Sequence, residues 1–292
     1  MGEVKKAIIL VAGLATRFLP LSKAVSKEFL PLADKPTLQY LLEEALASGI
    51  TELIFVVSPG KKTAILNYFK KSPKLEKNLK ERKKEEILTE LKTTEKLGQS
   101  FAFSFVTQKE PLGDGHAILQ AKKLAENQAC AVFFVDDIIA SRTPCLSQLG
   151  QIYKTCKKPV IALKKVPQER LSQYGIAETE KIASRLHKVK KIVEKPLPES
   201  APSDLAVVGR YIITPEVFQY IKGLKPDKRG EIILANALEK MIRDDKIVYG
   251  YEVEGDWLEC GNKNLWLKSN MYFSLKHPEF GSDIKKYSKQ IL

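Results

Sequence analysis

Short apolar runs alternate with amphipathic stretches along the first half of the chain. Residues 7–12 are uninterrupted apolar positions ending at Gly13, the pattern of a strand buried on both faces. Residues 36–48 place Leu38, Leu41, Leu42, Ala45 and Leu46 at helical spacing, and 53–57 return to a strand-like run. The cycle repeats, with 101–106 as strand, 117–125 as helix and 131–135 as a fully apolar strand. Further strands are predicted at 159–166, 175–178, 187–193 and 205–213, then helices near 231–243 and 265–275. This succession predicts an α/β fold, a mixed, mostly parallel sheet flanked by helices. No Gly/Pro/Ser-rich linker divides it and no repeat is visible, so 1–280 read as one domain. A charged segment at about 70–96, broken by Leu75, Leu79, Ile87, Leu88 and Leu91, reads as an inserted helical face in solvent, and 281–292 as a mobile C-terminal tail.

Composition narrows the function classes. At 292 residues the chain can bury a sizeable core without a metal or disulfide staple. Lys and Arg number 48 against 35 Asp and Glu, and the net charge of +13 calls for an anionic partner: nucleic acid, an anionic membrane or a phosphorylated small molecule. The basic segment lacks the regularly spaced aromatics of a base-stacking groove. Cys130, Cys145, Cys156 and Cys260 are scattered with no C-x-x-C pair, which disfavours zinc and a disulfide framework. No apolar run approaches the roughly 18 residues of a membrane span. The opening apolar run is too short for a signal peptide, and Lys6 stands where a myristoylation signal needs Ser or Thr. A cytoplasmic protein in a reducing compartment is expected.

The chemistry begins at residues 13–20, Gly-Leu-Ala-Thr-Arg-Phe-Leu-Pro, which follow the first strand and precede Lys23 and Lys27. Backbone N–H groups after Gly13, the bidentate fork of Arg17 and the point charge of Lys27 suit a polyphosphate. Walker A and G-x-G-x-x-G are both absent. Asp136 closes an apolar strand, at the edge where open α/β sheets place ligands; a loop-capping role fits that position equally. His116, His187 and His277 do not cluster, so a histidine base, triad or zinc site has little support.

Residues 13–20 followed by 23–31 resemble the signature of the bacterial UTP:glucose-1-phosphate uridylyltransferases. Further matches follow in order: Gln108 with 113–117, then 135–137, 174–175, 194–196, 205–211 and 230–232, together spanning about residues 5–275. The run through Arg210 and Tyr211 is similar to the uridylyl branch rather than the thymidylyl one. The resemblance implies a Rossmann-like nucleotidyltransferase fold, transfer of UMP from UTP to glucose 1-phosphate, a Mg²⁺ cofactor and a homodimer or homotetramer, with neither nucleic acid nor membrane as partner.

Carried onto this chain, it implies that Arg17 and Lys27 hold the pyrophosphate leaving group and Lys195 the sugar phosphate. Asp136 and Glu259 would hold Mg²⁺, and Glu194, Gly175 and Gly209 would contact the sugar. Gln108 and the Gly113 backbone would read uracil, and Ala12, Gly13, Glu28 and Asp137 complete the substrate contacts. A sugar phosphate already anionic needs no base, so positioning and charge neutralisation are the catalytic tasks. Three departures stand out: Ala15 replaces the usual second loop Gly, Glu259 the usual Asp, and Leu-Ala-Asn-Ala at 234–237 the usual Leu-Thr-Asp-Ala. They keep open a non-catalytic paralogue that modulates an active subunit, against which the retained Arg17, Lys27, Asp136 and Lys195 argue. Nucleic-acid binding rests on charge alone.

Overall fold

The computed structural model describes residues 4–291, and residues 1–3 and 292 lie outside what is described. In chain order the strands are β1 (Lys6–Val11), β2 (Pro31–Leu32), β3 (Lys35–Pro36), β4 (Glu52–Val57), β5 (Ala102–Thr107), β6 (Cys130–Phe134), β7 (Asp137–Ala140), β8 (Val160–Lys165), β9 (Gly175–Ala183), β10 (Leu186–Glu194), β11 (Leu205–Ile213), β12 (Tyr249–Glu252) and β13 (Asp256–Glu259). The helices are α1 (Thr37–Ala47), α2 (Lys62–Phe69), α3 (Pro73–Glu81), α4 (Glu85–Gln99), α5 (Asp114–Gln120), α6 (Lys122–Ala125), α7 (Cys145–Cys156), α8 (Pro215–Lys222), α9 (Leu234–Arg243), α10 (Lys263–Lys276) and α11 (Gly281–Ile291).

Nine strands form one sheet in the order β5-β4-β1-β6-β11-β8-β12-β10-β9. The β5-β4-β1-β6 half is parallel throughout, as the strand-helix alternation predicts. Beyond β6 the sheet is mixed: β11 runs antiparallel to β6 and β8, β10 antiparallel to β12 and β9, and only β8 and β12 are parallel. Antiparallel neighbours enter where hairpins replace helical crossovers, as from β9 to β10.

Alternation along the central strands divides the core in two. In β1, Ala7, Ile9 and Val11 face one cluster with α1, α2 and α7, through Leu38, Leu42, Ile65, Phe69 and Leu149. Ile8 faces the other, with Ile118 of α5, Phe218 of α8 and Met241 of α9. Helices cover both faces, which is why β1, β4 and β6 are almost wholly apolar.

The charged insertion forms α3 and α4; α3 buries no side chain and α4 buries Leu88, Glu95 and Leu97. The tail expected at 281–292 is corrected: residues Gly281–Ile291 form helix α11. Ile284, Tyr287 and Ile291 recur at helical spacing within it, a signal masked by the three lysines between them, Lys285, Lys286 and Lys289. Gly281 seats this helix closely, its α-carbon leaving no room for a side chain against the Leu275 carbonyl of α10.

Parallel strands β4 and β6 flank β1 on opposite sides, so the strand order reverses there and the carboxyl ends open a crevice. Ala12 and Gly13 leave β1 on one side of that crevice, and Val135 and Asp136 leave β6 on the other.

Candidate active site

A cavity of about 390 Å³ opens at this crevice, its walls including Ala12, Gly13, Lys27, Gln108, Gly113 and Asp136. The loop after β1 is tied from beneath by Lys61, whose Nζ donates to the carbonyls of Val11 (3.0 Å) and Gly13 (3.2 Å) and pairs with buried Glu28 at 3.3 Å. Glu28, expected at the substrate, thus serves first as the counter-charge of Lys61. Lys27 reaches the other way and forms an ion pair with Asp136. Arg17 lies exposed in the short 3-10 turn Thr16–Phe18, close to Gly261 and so to Asp136.

Ala15 takes a left-handed conformation, φ 53° and ψ 36°. This is the loop position where Gly is usual, and the backbone explains why: an L-residue there costs roughly 1–2 kcal/mol. Ala15→Gly should therefore stabilise the protein by about 0.5–1 kcal/mol after the added freedom of the unfolded chain is subtracted. A urea midpoint that stays level or falls would show that the loop carries no such strain.

On the cavity wall opposite, buried Gln108 donates from Nε2 to the Gly113 carbonyl at 3.0 Å and meets His116 Nδ1 at 3.0 Å. The amide plane is therefore fixed. Gly113 has φ 99°, and a side chain there would run into the Ile232 backbone, so glycine is required both by conformation and by space.

Asp136 and Asp137 part company at the end of β6. Asp136 points to the cavity, its carboxylate a third exposed, while its carbonyl accepts from Cys260 N at 2.6 Å. Asp137 begins β7, which pairs with β13 so that Asp137 lies opposite Glu259. Its carboxylate accepts from Trp257 Nε1 (2.6 Å) and from Gly209 N (3.1 Å). Desolvation, then the neighbouring Asp136 charge, pushes the Asp137 carboxyl up to about 7, while the Trp257 hydrogen bond acts against it. A side chain at position 209 would fill the space of Asp137 and Phe134, so Gly209 is needed for this approach.

The residues expected at the sugar, Gly175, Glu194 and Lys195, lie along the β9-β10 edge. Gly175 pairs with Glu194 in the β9-β10 register, and a methyl on Gly175 would come within 3.1 Å of Glu194 Oε2. Lys195 has φ 49°, donates its N–H to the Tyr174 carbonyl at 2.9 Å and lies 3.5 Å from Glu194 through its ammonium. Its side chain is not among those lining the cavity. Glu259 accepts from the Tyr174 hydroxyl through both oxygens (2.7 and 2.8 Å) and pairs with Arg170. Burial raises the Glu259 carboxyl, and the Arg170 charge opposes that shift.

Residues 6–274 match the family described as Nucleotidyl transferase. The chain belongs to this family. A nucleotidyl transferase named UTP–glucose-1-phosphate uridylyltransferase, from Staphylococcus haemolyticus, is 40% identical over 291 residues, covering 100% of this chain and 99% of its own length. A second, from Staphylococcus epidermidis, is 39% identical over the same extent. Among solved structures, a UTP-bound UGPase from Acinetobacter baumannii matches with TM-score 0.90 at 33% identity, over 99% of this chain and 100% of that one. A UDP-glucose pyrophosphorylase complexed with UDP-glucose matches with TM-score 0.85 at 33% identity, over 94% and 100%.

Several residues that organise this nucleotidyl transferase site are invisible to pattern reading. Lys61 follows a turn at Gly60 and looks like any surface lysine. His116 links Gln108 to Gln120 at 3.0 Å on each side, a role that only the α5 geometry discloses. Arg210 was legible as part of a matching run, but its burial and its pairing with Glu44 were not.

Proposed function

We propose that the protein transfers UMP from UTP to glucose 1-phosphate, giving UDP-glucose and pyrophosphate, with residues 1–280 acting as one nucleotidyltransferase domain. The observation that carries the reading is full-length identity of 40% to an enzyme named for this reaction, combined with a cavity where Lys27, Gln108, Gly113 and Asp136 converge. Gln108 and the Gly113 backbone would receive uracil, and Arg17 and Lys27 the departing pyrophosphate. Lys195 would neutralise the attacking phosphate while Glu194, with Gly175 and Gly209, takes the sugar.

The donor set suits Mg²⁺. Asp136 and Glu259 offer hard carboxylate oxygens, and among the described residues no cluster of three or more His, Cys, Asp or Glu could enclose a metal alone. An ion held by one or two carboxylates, with phosphate oxygens and waters completing its shell, is the usual magnesium arrangement. When bound, it would supply charge neutralisation at the α-phosphate. The chain's own part is positioning: the Gly13 loop and Asp136 fix one end of the nucleotide, and the β9-β10 edge the nucleophile, so that an anion attacks phosphorus without proton transfer.

No helix among the described residues is long and apolar enough to cross a membrane, and the four cysteines are free. Free cysteines are what a reducing, cytoplasmic setting would leave. The homodimer or homotetramer expected from the resemblance draws support from apolar side chains exposed on α10 and α11, Leu267, Met271, Tyr287 and Ile291.

Pyrophosphate release from purified protein, Mg²⁺, UTP and glucose 1-phosphate tests the reaction; no release under these conditions would leave the non-catalytic paralogue. UTP should exceed ATP in kcat/KM by about a thousandfold or more, because a purine leaves the fixed Gln108 amide and the Gly113 backbone unpaired. Equal efficiency with ATP would refute the base site.

A further inference from the structure

Both carboxylates assigned above to the metal carry a protein cation in the chain by itself: Lys27 on Asp136, and Arg170 on Glu259. Lys27 has a role in phosphate binding. Arg170 has none so far. It lies in the 3-10 turn Gln168–Gln173 that leads through Tyr174 into β9, and reaches across to β13. Its guanidinium carbon stands 5.3 Å from the Tyr174 ring centroid, and the Tyr174 hydroxyl shares the same Glu259 carboxylate. The Tyr174 carbonyl in turn holds the Lys195 N–H. One residue thus joins the arginine, the carboxylate and the backbone of the sugar-phosphate lysine.

The charges have to be accounted for. A largely buried carboxylate without a counter-charge is costly, and Glu259 is only 11% exposed against 30% for Arg170. The methylene that distinguishes Glu259 from the usual Asp lengthens its reach toward that counter-charge. If a divalent cation takes the carboxylates, two monovalent protein cations are released at the moment two phosphate groups need neutralising.

We propose that Arg170 is the resident counter-cation of Glu259, that it competes with the divalent metal for this carboxylate, and that on release it becomes a second cationic contact, beside Lys195, for the phosphate of the incoming sugar phosphate. The proposal rests on the metal-site reading above.

The test is calorimetric titration of the nucleotide-free, full-length protein with Mg²⁺, run on wild type, Arg170→Gln, Arg170→Lys and Asp136→Asn, together with KM values for both substrates. Arg170→Gln should tighten Mg²⁺ binding about tenfold and raise the KM for glucose 1-phosphate about tenfold, with the KM for UTP little changed. Arg170→Lys keeps the charge and should stay within about threefold of wild type in Mg²⁺ affinity. Unchanged Mg²⁺ affinity in Arg170→Gln, with binding lost in Asp136→Asn, would overturn the role of Arg170 and leave the metal site standing. Wild-type Mg²⁺ binding by Asp136→Asn would overturn the metal site, and this proposal with it.

Discussion

Asp136→Asn should lower kcat by on the order of a hundredfold or more while leaving the fold intact. The side chain is a third exposed and reaches Lys27 from the end of β6, and the backbone of the same residue is held independently through the Cys260 N–H. An amide of the same shape can keep that backbone bond and lose the charge. The thermal midpoint should accordingly move by no more than about 2 °C, within the range of a surface substitution. Two consequences separate this from general damage. Lys27 loses its partner, so UTP binding should persist or tighten while turnover collapses, and raising Mg²⁺ should not restore the rate. Near-normal turnover at saturating Mg²⁺ would end the assignment of Asp136.

The parallel half of the fold was legible because burial on both faces writes itself as uninterrupted apolar runs. Residues 7–12, 53–57 and 131–135 correspond to β1, β4 and β6 within a residue or two. Residues 205–213 coincide with β11. Elements whose apolar signal is short were missed. Helix α7 follows Pro144 and shows the core mainly Leu146 and Leu149, and α8 begins at Pro215, where proline suits a first helical turn but reads as a break. The β7-β13 ribbon escaped notice because β7 starts on an aspartate two residues after an apparent strand end.

The site divides along the same line. Gly13, Arg17 and Lys27 lie in the one signature stretch that follows β1, and Asp136 directly follows β6, so spacing and resemblance find them. Glu259 shows the limit: its place in the chain suggested a metal carboxylate, yet its immediate partners lie 89 and 85 residues away, Arg170 outside every matching run and Tyr174 in one that gives no sign of this contact. Ala15 is a middle case. The sequence marks it as a departure, and only its φ of 53° explains what the departure costs.

Arg210→Met should be the most destabilising of the substitutions considered, by about 3–5 kcal/mol. The side chain is 0% exposed. Its guanidinium grips Glu44 of α1 at 3.0–3.2 Å through Nε and Nη2, and lies 4.4 Å from the Phe133 ring centroid. It donates to the carbonyls of Phe134 (3.2 Å), Gly209 (2.9 Å) and Asp137 (2.7 Å). Glu44 also accepts the Leu146 N–H at the start of α7 at 3.0 Å. One buried ion pair therefore ties α1, α7, β11 and the β6-β7 corner that carries Asp136. Methionine fills the volume but leaves Glu44 charged with one donor and three carbonyls short of theirs, which is the expensive outcome. The thermal midpoint should fall by about 10 °C. Lysine preserves the charge without the planar fork, cannot serve Glu44 and three carbonyls together, and should fall between methionine and wild type. Replacing both partners, Arg210→Met with Glu44→Leu, removes the stranded charge, so the double variant should lose less than the sum of the singles by about 1–3 kcal/mol. Additive losses would show that Glu44 and Arg210 contribute through separate contacts, and that the corner holding Asp136 does not depend on their pairing.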